Sequence, residues 1–363
     1  MDNRLSLLQK KVYFSVLFFL CILIYSQEKS YKVVAYISSD SASLVKYDLK
    51  KVTHLIYGFG NLNDKGRFSV RRKKDTVMLN TMRDLKVKYP QLKTLIAFGG
   101  WGGCKTCSEV FSTTEGRQNF AQDAKAMMDY FGLDGVDLDW EYPAIQGPPE
   151  HLFQREDKAN FTDLITRIRK EIGQEKLLTF AAGGFQQFLD ESVEWDKILT
   201  DVDFVNLMTY DLVHGYSTET GHQSSLYSVR PKDETINRAI DFFKKTNFPL
   251  DKVIVGVPFY HRYFTVESSE NNGLFKPTKF LKGVDYKDNH SVLGKGDYQE
   301  FWDSKASVPY WYNSKLKIFV TGDNKKSIIK KTEYIKKQKL GGIMFWELAS
   351  DTSTNGLLDA INF

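Results

Sequence analysis

The sequence predicts an α/β protein in which eight parallel strands, each followed by a helix, close into a barrel. Two observations support this prediction. Short apolar, β-branched runs recur along the 363 residues, and stretches with a helical period separate most of them. Continuous apolar strands are typical of a parallel sheet that is buried on both faces. Eight such units form a (β/α)8 barrel, or TIM barrel, of about 250 residues that tolerates insertions.

The predicted elements alternate in the order that this barrel requires. The eight predicted strands are residues 32–37, 53–59, 93–98, 135–140, 177–182, 204–208, 252–257 and 342–346. The clearest predicted helices are residues 74–89, 115–131, 160–172 and 233–247. A short final helix is expected near residues 356–361. The barrel, including its insertion, is expected to occupy residues 28–363, with no appended binding module.

The gap between the seventh and eighth predicted strands is longer than the others and predicts an insertion. Residues 261–318 are rich in Tyr, Phe, Asn and Gly and show no clean helical period. They are expected to form a small α+β subdomain within the barrel. It would lie at the C-terminal face of the barrel, where the loops that follow the strands build active sites.

Composition and charge exclude several classes of protein. With 42% hydrophobic and 26% charged residues, the chain is neither disordered, nor collagen-like, nor a polytopic membrane protein. A net charge of +5 is too small to indicate nucleic-acid binding. The densest basic run, residues 325–339, is expected to form the solvent face of an amphipathic helix. No obligate protein partner is indicated, and a monomer is expected.

Residues 1–27 have the pattern of a secretory signal peptide. Arg4, Lys10 and Lys11 precede an apolar run over residues 12–25 that is too short to span a bilayer. A polar stretch follows it. The prediction is a secreted, extracellular or periplasmic protein, and an uncleaved membrane anchor is the alternative.

The cysteines agree with export. Cys21 lies in the predicted leader, which leaves only Cys104 and Cys107 for the mature chain. A Cys-x-x-Cys pair can be a small disulfide, a redox pair or half of a metal site, and no second pair completes a zinc site. A local disulfide in an oxidising compartment is therefore predicted. No metal and no cofactor are expected.

The fourth predicted strand carries the most informative pattern. In the run 134–142, Asp137, Asp139 and Glu141 are spaced two apart, and the residues between them are apolar. Side chains on a strand alternate between its faces, so the three carboxylates share one face with Cα atoms about 6.6 Å apart. In a barrel whose outer face packs on helices, that face points inward. Asp134 has the opposite parity and is expected to be structural.

Such a triplet is costly, which argues for a chemical role. Like charges in a desolvated site cannot all ionise, so at least one pKa is raised. Two alternatives are a surface strand and a Ca²⁺ or Mg²⁺ site. The apolar opposite face argues against the first, and the lack of calcium-loop spacing argues against the second. Glu141, nearest the mouth, is predicted to be the general acid. Asp139 would stabilise positive charge, and Asp137 would share a proton with Asp139.

The run from Asp134 to Glu141 resembles the Asp-x-x-Asp-x-Asp-x-Glu signature of the family-18 glycoside hydrolases, the chitinases and chitinase-like proteins. Further resemblance lies at the ends of four other predicted strands, in residues 97–101, 206–211, 256–262 and 341–346. The resemblance covers about residues 31–351. The long insertion also resembles a subdomain that deepens the cleft in this family.

The resemblance implies a mechanism without an enzyme nucleophile, which is an exception to the usual two-carboxylate scheme. The 2-acetamido oxygen of the substrate would attack the anomeric carbon while Glu141 protonates the leaving oxygen. Asp139 would orient the acetamido group and stabilise the oxazolinium ion, and Tyr210 would hydrogen-bond the acetamido oxygen. Glu141 would then activate water, which gives net retention.

The resemblance also implies a set of sugar-binding residues. Asp211 would hydrogen-bond the sugar at subsite −1, Met208 would line its pocket and Trp346 would form its floor. The other implied cleft residues are Tyr36, Phe59, Gly100, Trp101, Ala182, Tyr260 and Arg262. Two residues depart from the family's pattern: Ala97 replaces a common Ser, and Asp40 replaces a glycan-stacking Trp that serves the outer negative subsites.

The function implied is that of a secreted chitinase, which cleaves β-1,4 bonds between N-acetylglucosamine units of chitin or chitooligosaccharides. An endo-β-N-acetylglucosaminidase acting on glycoprotein glycans is one alternative, but such enzymes typically lack the insertion. A non-catalytic chitin-binding lectin is another, but such proteins usually lose the acid that Glu141 represents here.

Overall fold

The computed structural model describes residues 30–70 and 72–363. The predicted leader, residues 1–27, lies outside the described residues. Within the described part of the chain, no helix combines the length and the apolar character needed to cross a membrane.

Fourteen strands form two sheets in the described residues. They are β1 (Lys32–Ile37), β2 (His54–Leu62), β3 (Phe68–Ser69), β4 (Lys93–Gly99), β5 (Gly135–Asp139), β6 (Leu177–Gly183), β7 (Phe204–Met208), β8 (Val253–Pro258), β9 (Tyr260–Val266), β10 (Thr278–Asp285), β11 (Tyr298–Asp303), β12 (Val308–Asn313), β13 (Ile318–Thr321) and β14 (Gly342–Trp346).

The larger sheet is a closed barrel. Its strands follow the order β1-β14-β8-β7-β6-β5-β4-β2, and parallel pairing of β1 with β2 closes the ring. The short β3 adds to β2 as an antiparallel edge. All eight strands that the sequence predicts are present, so the (β/α)8 fold class is confirmed. The strands contain almost no exposed residue, which explains why their sequences read as continuous apolar runs.

Most helices of the described residues cover the outside of the barrel, and one short helix belongs to the segment between β8 and β14. They are α1 (Ser41–Leu44), α2 (Lys73–Lys88), α3 (Cys107–Phe111), α4 (Thr114–Phe131), α5 (Asp157–Ile172), α6 (Gln186–Glu191), α7 (Trp195–Ile198), α8 (Ile236–Phe243), α9 (Tyr286–Asn289), α10 (Lys325–Gln338) and α11 (Leu357–Ala360). Short 3-10 turns occur at Leu49–Lys51, Leu250–Lys252, Glu270–Gly273 and Leu348–Ser350. The helix α4 shows why the bounds fall where they do. The Thr113 side chain accepts a hydrogen bond from Gly116 N, and Gly132 at φ 69° ends the helix in the left-handed region.

The segment between β8 and β14 forms a second, antiparallel sheet in the order β10-β9-β13-β12-β11. This sheet begins at Tyr260, two residues after the last residue of β8, so it continues from the C-terminal end of a barrel strand. Phe264, Tyr312 and Phe319 belong to its own apolar core. The insertion is mostly β, with α9 as its helix.

The basic run forms α10, but one of its lysines does not face solvent. Lys326, Lys330, Lys336 and Lys337 are exposed, as an amphipathic helix requires. Lys331 is fully buried, although the sequence pattern had placed the whole run on the solvent face. That part of the prediction is wrong because Lys331 meets a buried carboxylate, Asp323, from outside the helix.

Candidate active site

The three carboxylates of the β5 segment lie inside the barrel, near its C-terminal end. Asp137 and Asp139 belong to β5, and Glu141 follows it. All three are buried, with exposed fractions of 0%, 4% and 8% in that order. On the other face Trp140 packs against Phe111, at 5.3 Å between ring centroids. The alternation of strand side chains thus places the three carboxylates on one face, and their solvent exposure increases toward the mouth of the barrel.

Asp137 is the deepest of the three and is fully hydrogen-bonded. Oδ2 accepts from the Tyr36 hydroxyl at 2.7 Å, and Oδ1 accepts from Thr179 Oγ1 at 2.5 Å and Asn206 Nδ2 at 3.1 Å. Burial raises the pKa of Asp137 to about 6, and these three donors oppose the shift. Tyr36, Thr179 and Asn206 come from three strands. Sequence reasoning missed the roles of Thr179 and Asn206, although each has the inward parity of its own strand.

Asp139 is buried with one oxygen unsatisfied. Among the described residues, no group hydrogen-bonds to its Oδ1 atom. Burial, followed by the negative charges of Glu141 and Asp137, raises the pKa of Asp139 well above its usual value. A buried acceptor without a donor costs about 1–3 kcal/mol. Oδ1 is therefore free to accept a donor from a bound molecule.

Glu141 combines the greatest access of the triplet with a pKa near neutrality. Burial raises its pKa to about 7, and the negative charge of Asp211 adds to the shift. A hydrogen bond from the Tyr142 side chain acts in the opposite direction because it favours the charged form. A carboxyl group in this pKa range can both give and take a proton near pH 7.

Tyr210 follows β7 and faces the carboxylates. Burial and the negative charges of Asp139 and Glu141 raise the pKa of Tyr210 well above its usual value, so its hydroxyl stays protonated. The Tyr210 hydroxyl makes a long contact with Met344 Sδ, at 4.0 Å. Met208 precedes it on the same face and belongs to the apolar cluster inside the barrel. Tyr210 thus presents a hydrogen-bond donor above that cluster.

Asp211 and Arg262 form a bidentate ion pair beside Tyr210. Arg262 Nε and Nη2 donate to the two carboxylate oxygens of Asp211 at 2.5 and 2.6 Å. The guanidinium carbon lies 5.4 Å from the ring centroid of Tyr260, whose ring packs edge-on against Tyr210 at 6.5 Å. The structure therefore gathers four of the predicted residues into one wall.

An aromatic floor closes the inner side of the site. The indole of Trp346 stacks on Phe59 with centroids 5.5 Å apart and lies 5.8 Å from the ring of Tyr36. Gly100, at φ 79°, approaches Phe59 so closely that a Cβ atom would lie 2.6 Å from its ring. A cavity of about 310 Å³, lined by Phe59 and by Asn61, Ser69, Arg72 and Asp75, opens beside this floor.

Trp101 stands at the rim and is 53% exposed. Its ring approaches Tyr142 edge-on at 6.4 Å. The structure joins Cys104 and Cys107 by a disulfide in the same loop. Sequence reasoning missed Tyr142, whose side chain hydrogen-bonds to Glu141. The adjacency of Tyr142 to Glu141 in the sequence was a usable signal.

Ala182 is a correction. Thr179 binds Asp137 inside the barrel, and Ala181 belongs to the interior cluster, so inward positions on β6 are odd-numbered. Ala182 is fully buried on the opposite face, where its neighbour in parity, Phe180, packs against Phe161. The prediction that Ala182 lines the cleft is wrong because it is out of register by one residue.

Comparison with known proteins agrees with this geometry. The family model for glycosyl hydrolases family 18 matches residues 32–351. Chitinase A1 of Niallia circulans is 34% identical over 298 residues, which are 75% of this chain and 42% of that protein. Chitotriosidase-1 of Mus musculus is 31% identical over 329 residues, which are 82% of this chain and 67% of that protein. The chain thus spans less than half of the first relative and about two thirds of the second.

A solved structure is similar over almost its whole length. It is that of a glycoside hydrolase family 18 N-acetylglucosaminidase from Paenibacillus barengoltzii, with a TM-score of 0.82 and 32% identity. The match covers 92% of this chain and 99% of that one. Because the family model, these relatives and the barrel with its inward carboxylates all agree, the chain belongs to glycosyl hydrolases family 18.

Proposed function

We propose that this protein is a chitinase that hydrolyses β-1,4 bonds between N-acetylglucosamine units with retention of configuration. The observation that carries the proposal is the pair formed by Asp139, whose buried Oδ1 lacks a donor, and Glu141, whose pKa is raised to about 7. The first can receive an amide N–H from the substrate. The second can protonate a leaving oxygen.

In the first step, protonated Glu141 gives its proton to the glycosidic oxygen, and the bond from that oxygen to the anomeric carbon breaks. The carbonyl oxygen of the substrate's own 2-acetamido group forms a new bond to the anomeric carbon. The product is a cyclic oxazolinium ion, whose N–H is hydrogen-bonded to Asp139. This step inverts the anomeric carbon, and the attack of water in the second step inverts it again, so the configuration is retained overall. Such a substrate-assisted route is the family-18 exception to the two-carboxylate scheme.

In the second step, Glu141 is a carboxylate and accepts a proton from water. The water oxygen attacks the anomeric carbon, and the bond to the acetamido oxygen breaks. Tyr210 supplies a donor for that oxygen throughout. Asp137, with all three of its donors in place, supports Asp139 from below. Neither step needs a metal or a cofactor.

The walls of the site would bind the other parts of the chitin substrate. Trp346 offers a flat apolar surface under the sugar at subsite −1, and the Asp211–Arg262 pair borders the same sugar. Trp101 at the rim extends the aromatic surface toward the next sugar.

We further propose that residues 28–363 act as a monomer outside the cell after removal of the predicted leader at 1–27.

Defined chitin oligomers test this function. We expect shorter N-acetylated oligomers as products, with the β-anomer formed first. Release of single sugars from one end would instead indicate an N-acetylglucosaminidase, the activity named for the Paenibacillus barengoltzii protein. Turnover of glycoprotein glycans but not of chitin oligomers would indicate an endo-β-N-acetylglucosaminidase. Binding without turnover would indicate a lectin, and formation of the α-anomer first would contradict retention.

The pH dependence of kcat/KM should report Glu141. Cleavage needs its proton, so the rate should fall as the pH rises through about 7. Tyr142→Phe removes a hydrogen bond that favours the carboxylate and should move this basic limb to higher pH. The measurement is the pH profile of kcat/KM on one soluble oligomer for both proteins. A limb that stays in place or moves to lower pH in Tyr142→Phe would contradict the assignment.

A further inference from the structure

A buried ion pair lies outside the carboxylate triplet, behind the wall that carries Tyr210. The side chains of Lys331 on α10 and of Asp323 have no exposed surface. Both carboxylate oxygens of Asp323 accept from Lys331 Nζ at 2.7 Å. Well-packed apolar residues often stabilise a fold as well as a buried ion pair does or better. Stability alone is therefore a weak reason for this pair.

The third N–H of Lys331 begins a series of hydrogen bonds that ends beside Tyr210 in the candidate active site. It donates to Ser224 Oγ at 2.9 Å, and that hydroxyl donates to the backbone carbonyl of Thr209 at 2.8 Å. Thr209 immediately precedes Tyr210, and its own hydroxyl donates to the carbonyl of Gly256 on β8 at 2.7 Å. All three ammonium protons of Lys331 are used, and the direction of each bond in the series is defined.

The neighbouring residue completes the connection. The backbone carbonyl of Gln223 accepts from Leu212 N at 3.1 Å, directly after Asp211. The Gln223 side-chain amide donates to the carbonyl of Tyr260 at 3.0 Å. Ser224 and Gln223 therefore hold the backbone before and after the pair Tyr210–Asp211. Gln223 also holds the start of β9.

We propose that Lys331, Asp323 and Ser224 are positioning residues that hold the backbone of Tyr210 and Asp211 against the sugar at subsite −1. This inference rests on the proposed function. Buried, fully satisfied hydrogen-bond networks specify one arrangement of the groups they join. A displacement of about 1 Å at a residue that orients a substrate can lower a rate by about 10²-fold. The helix α10 thereby supports the site without contacting the substrate.

Two serines allow a matched test. Ser224 links Lys331 to Thr209, whereas Ser327 donates to Asp323 Oδ1 at 2.5 Å on the other side of the same ion pair. Both side chains are buried. Ser224→Ala breaks the connection to Tyr210, and Ser327→Ala leaves it intact. Lys331→Met is unsuitable alone because it leaves Asp323 as an unpaired buried charge, which strongly destabilises the fold.

For Ser224→Ala we expect kcat on a chitin oligomer to fall about tenfold with KM changed less than about twofold. Ser327→Ala should keep the wild-type kcat, although thermal unfolding shifts similarly in both variants. Amide hydrogen exchange of the full-length protein should become faster over residues 209–212 in Ser224→Ala only.

The positioning role is refuted if kcat is unchanged in Ser224→Ala, or if it falls equally in the two variants. The exchange measurement does not depend on the reaction. If the wild-type protein fails to cleave chitin, the proposed function fails, and unequal exchange in the two variants still supports the connection to residues 209–212. Equal exchange in the two variants refutes it.

Discussion

Glu141→Gln is expected to lower kcat on chitin oligomers by about 10³-fold, while the Kd for the same oligomer changes by less than about threefold. The amide has the shape of the carboxyl group but cannot give a proton to the leaving oxygen or accept one from water. Both chemical steps therefore lose their acid–base group. The measurements are steady-state kinetics and calorimetric binding of one oligomer.

A matched control lies on the same segment. Asp134 has the opposite parity, and its Oδ2 accepts from Lys86 Nζ at 2.7 Å and from Thr94 N at 2.8 Å, outside the barrel interior. Asp134→Asn should lower the free energy of unfolding by about 1–3 kcal/mol and leave kcat near the wild-type value. Glu141→Gln with more than about a tenth of wild-type activity would refute the role of Glu141.

Fully deacetylated chitosan oligomers should be hydrolysed at least about 10³-fold more slowly than acetylated oligomers of equal length. Removing the acetyl group removes the internal nucleophile, and well-oriented intramolecular groups act at effective concentrations of about 10⁵ M or more. It also removes the amide N–H that Asp139 is placed to accept. The measurement is release of reducing ends from the two series.

Partially deacetylated chitosan provides the internal control, because one chain then offers both kinds of unit to the same enzyme. Every new reducing end should carry an N-acetylated sugar, while the unit beyond the cleaved bond can be of either kind. Sequencing of the products by mass spectrometry checks this. New reducing ends that carry free amines in proportion to their abundance would rule out assistance by the substrate.

The barrel and the carboxylate triplet could be predicted because both depend on local periodicity. A strand that is buried on both faces must be apolar along its length, and the amino-acid sequence contains eight such apolar runs. The inward face of Asp137, Asp139 and Glu141 follows from a period of two, since the residues between them are apolar. Trp346 and Tyr210 were found by resemblance rather than by period.

Other features depend on residues that are distant in sequence, and only packing decides them. Ala181 rather than Ala182 faces inward because the register of β6 against its neighbours selects the parity. Lys331 is buried because Asp323 and Ser224 meet it from outside α10, and no helical pattern shows such a partner. The short-range pattern of a chain specifies its strands and their faces. Which distant groups share a buried environment, and hence which pKa values shift, is set by the tertiary fold because electrostatic and hydrogen-bond energies depend on distance in space.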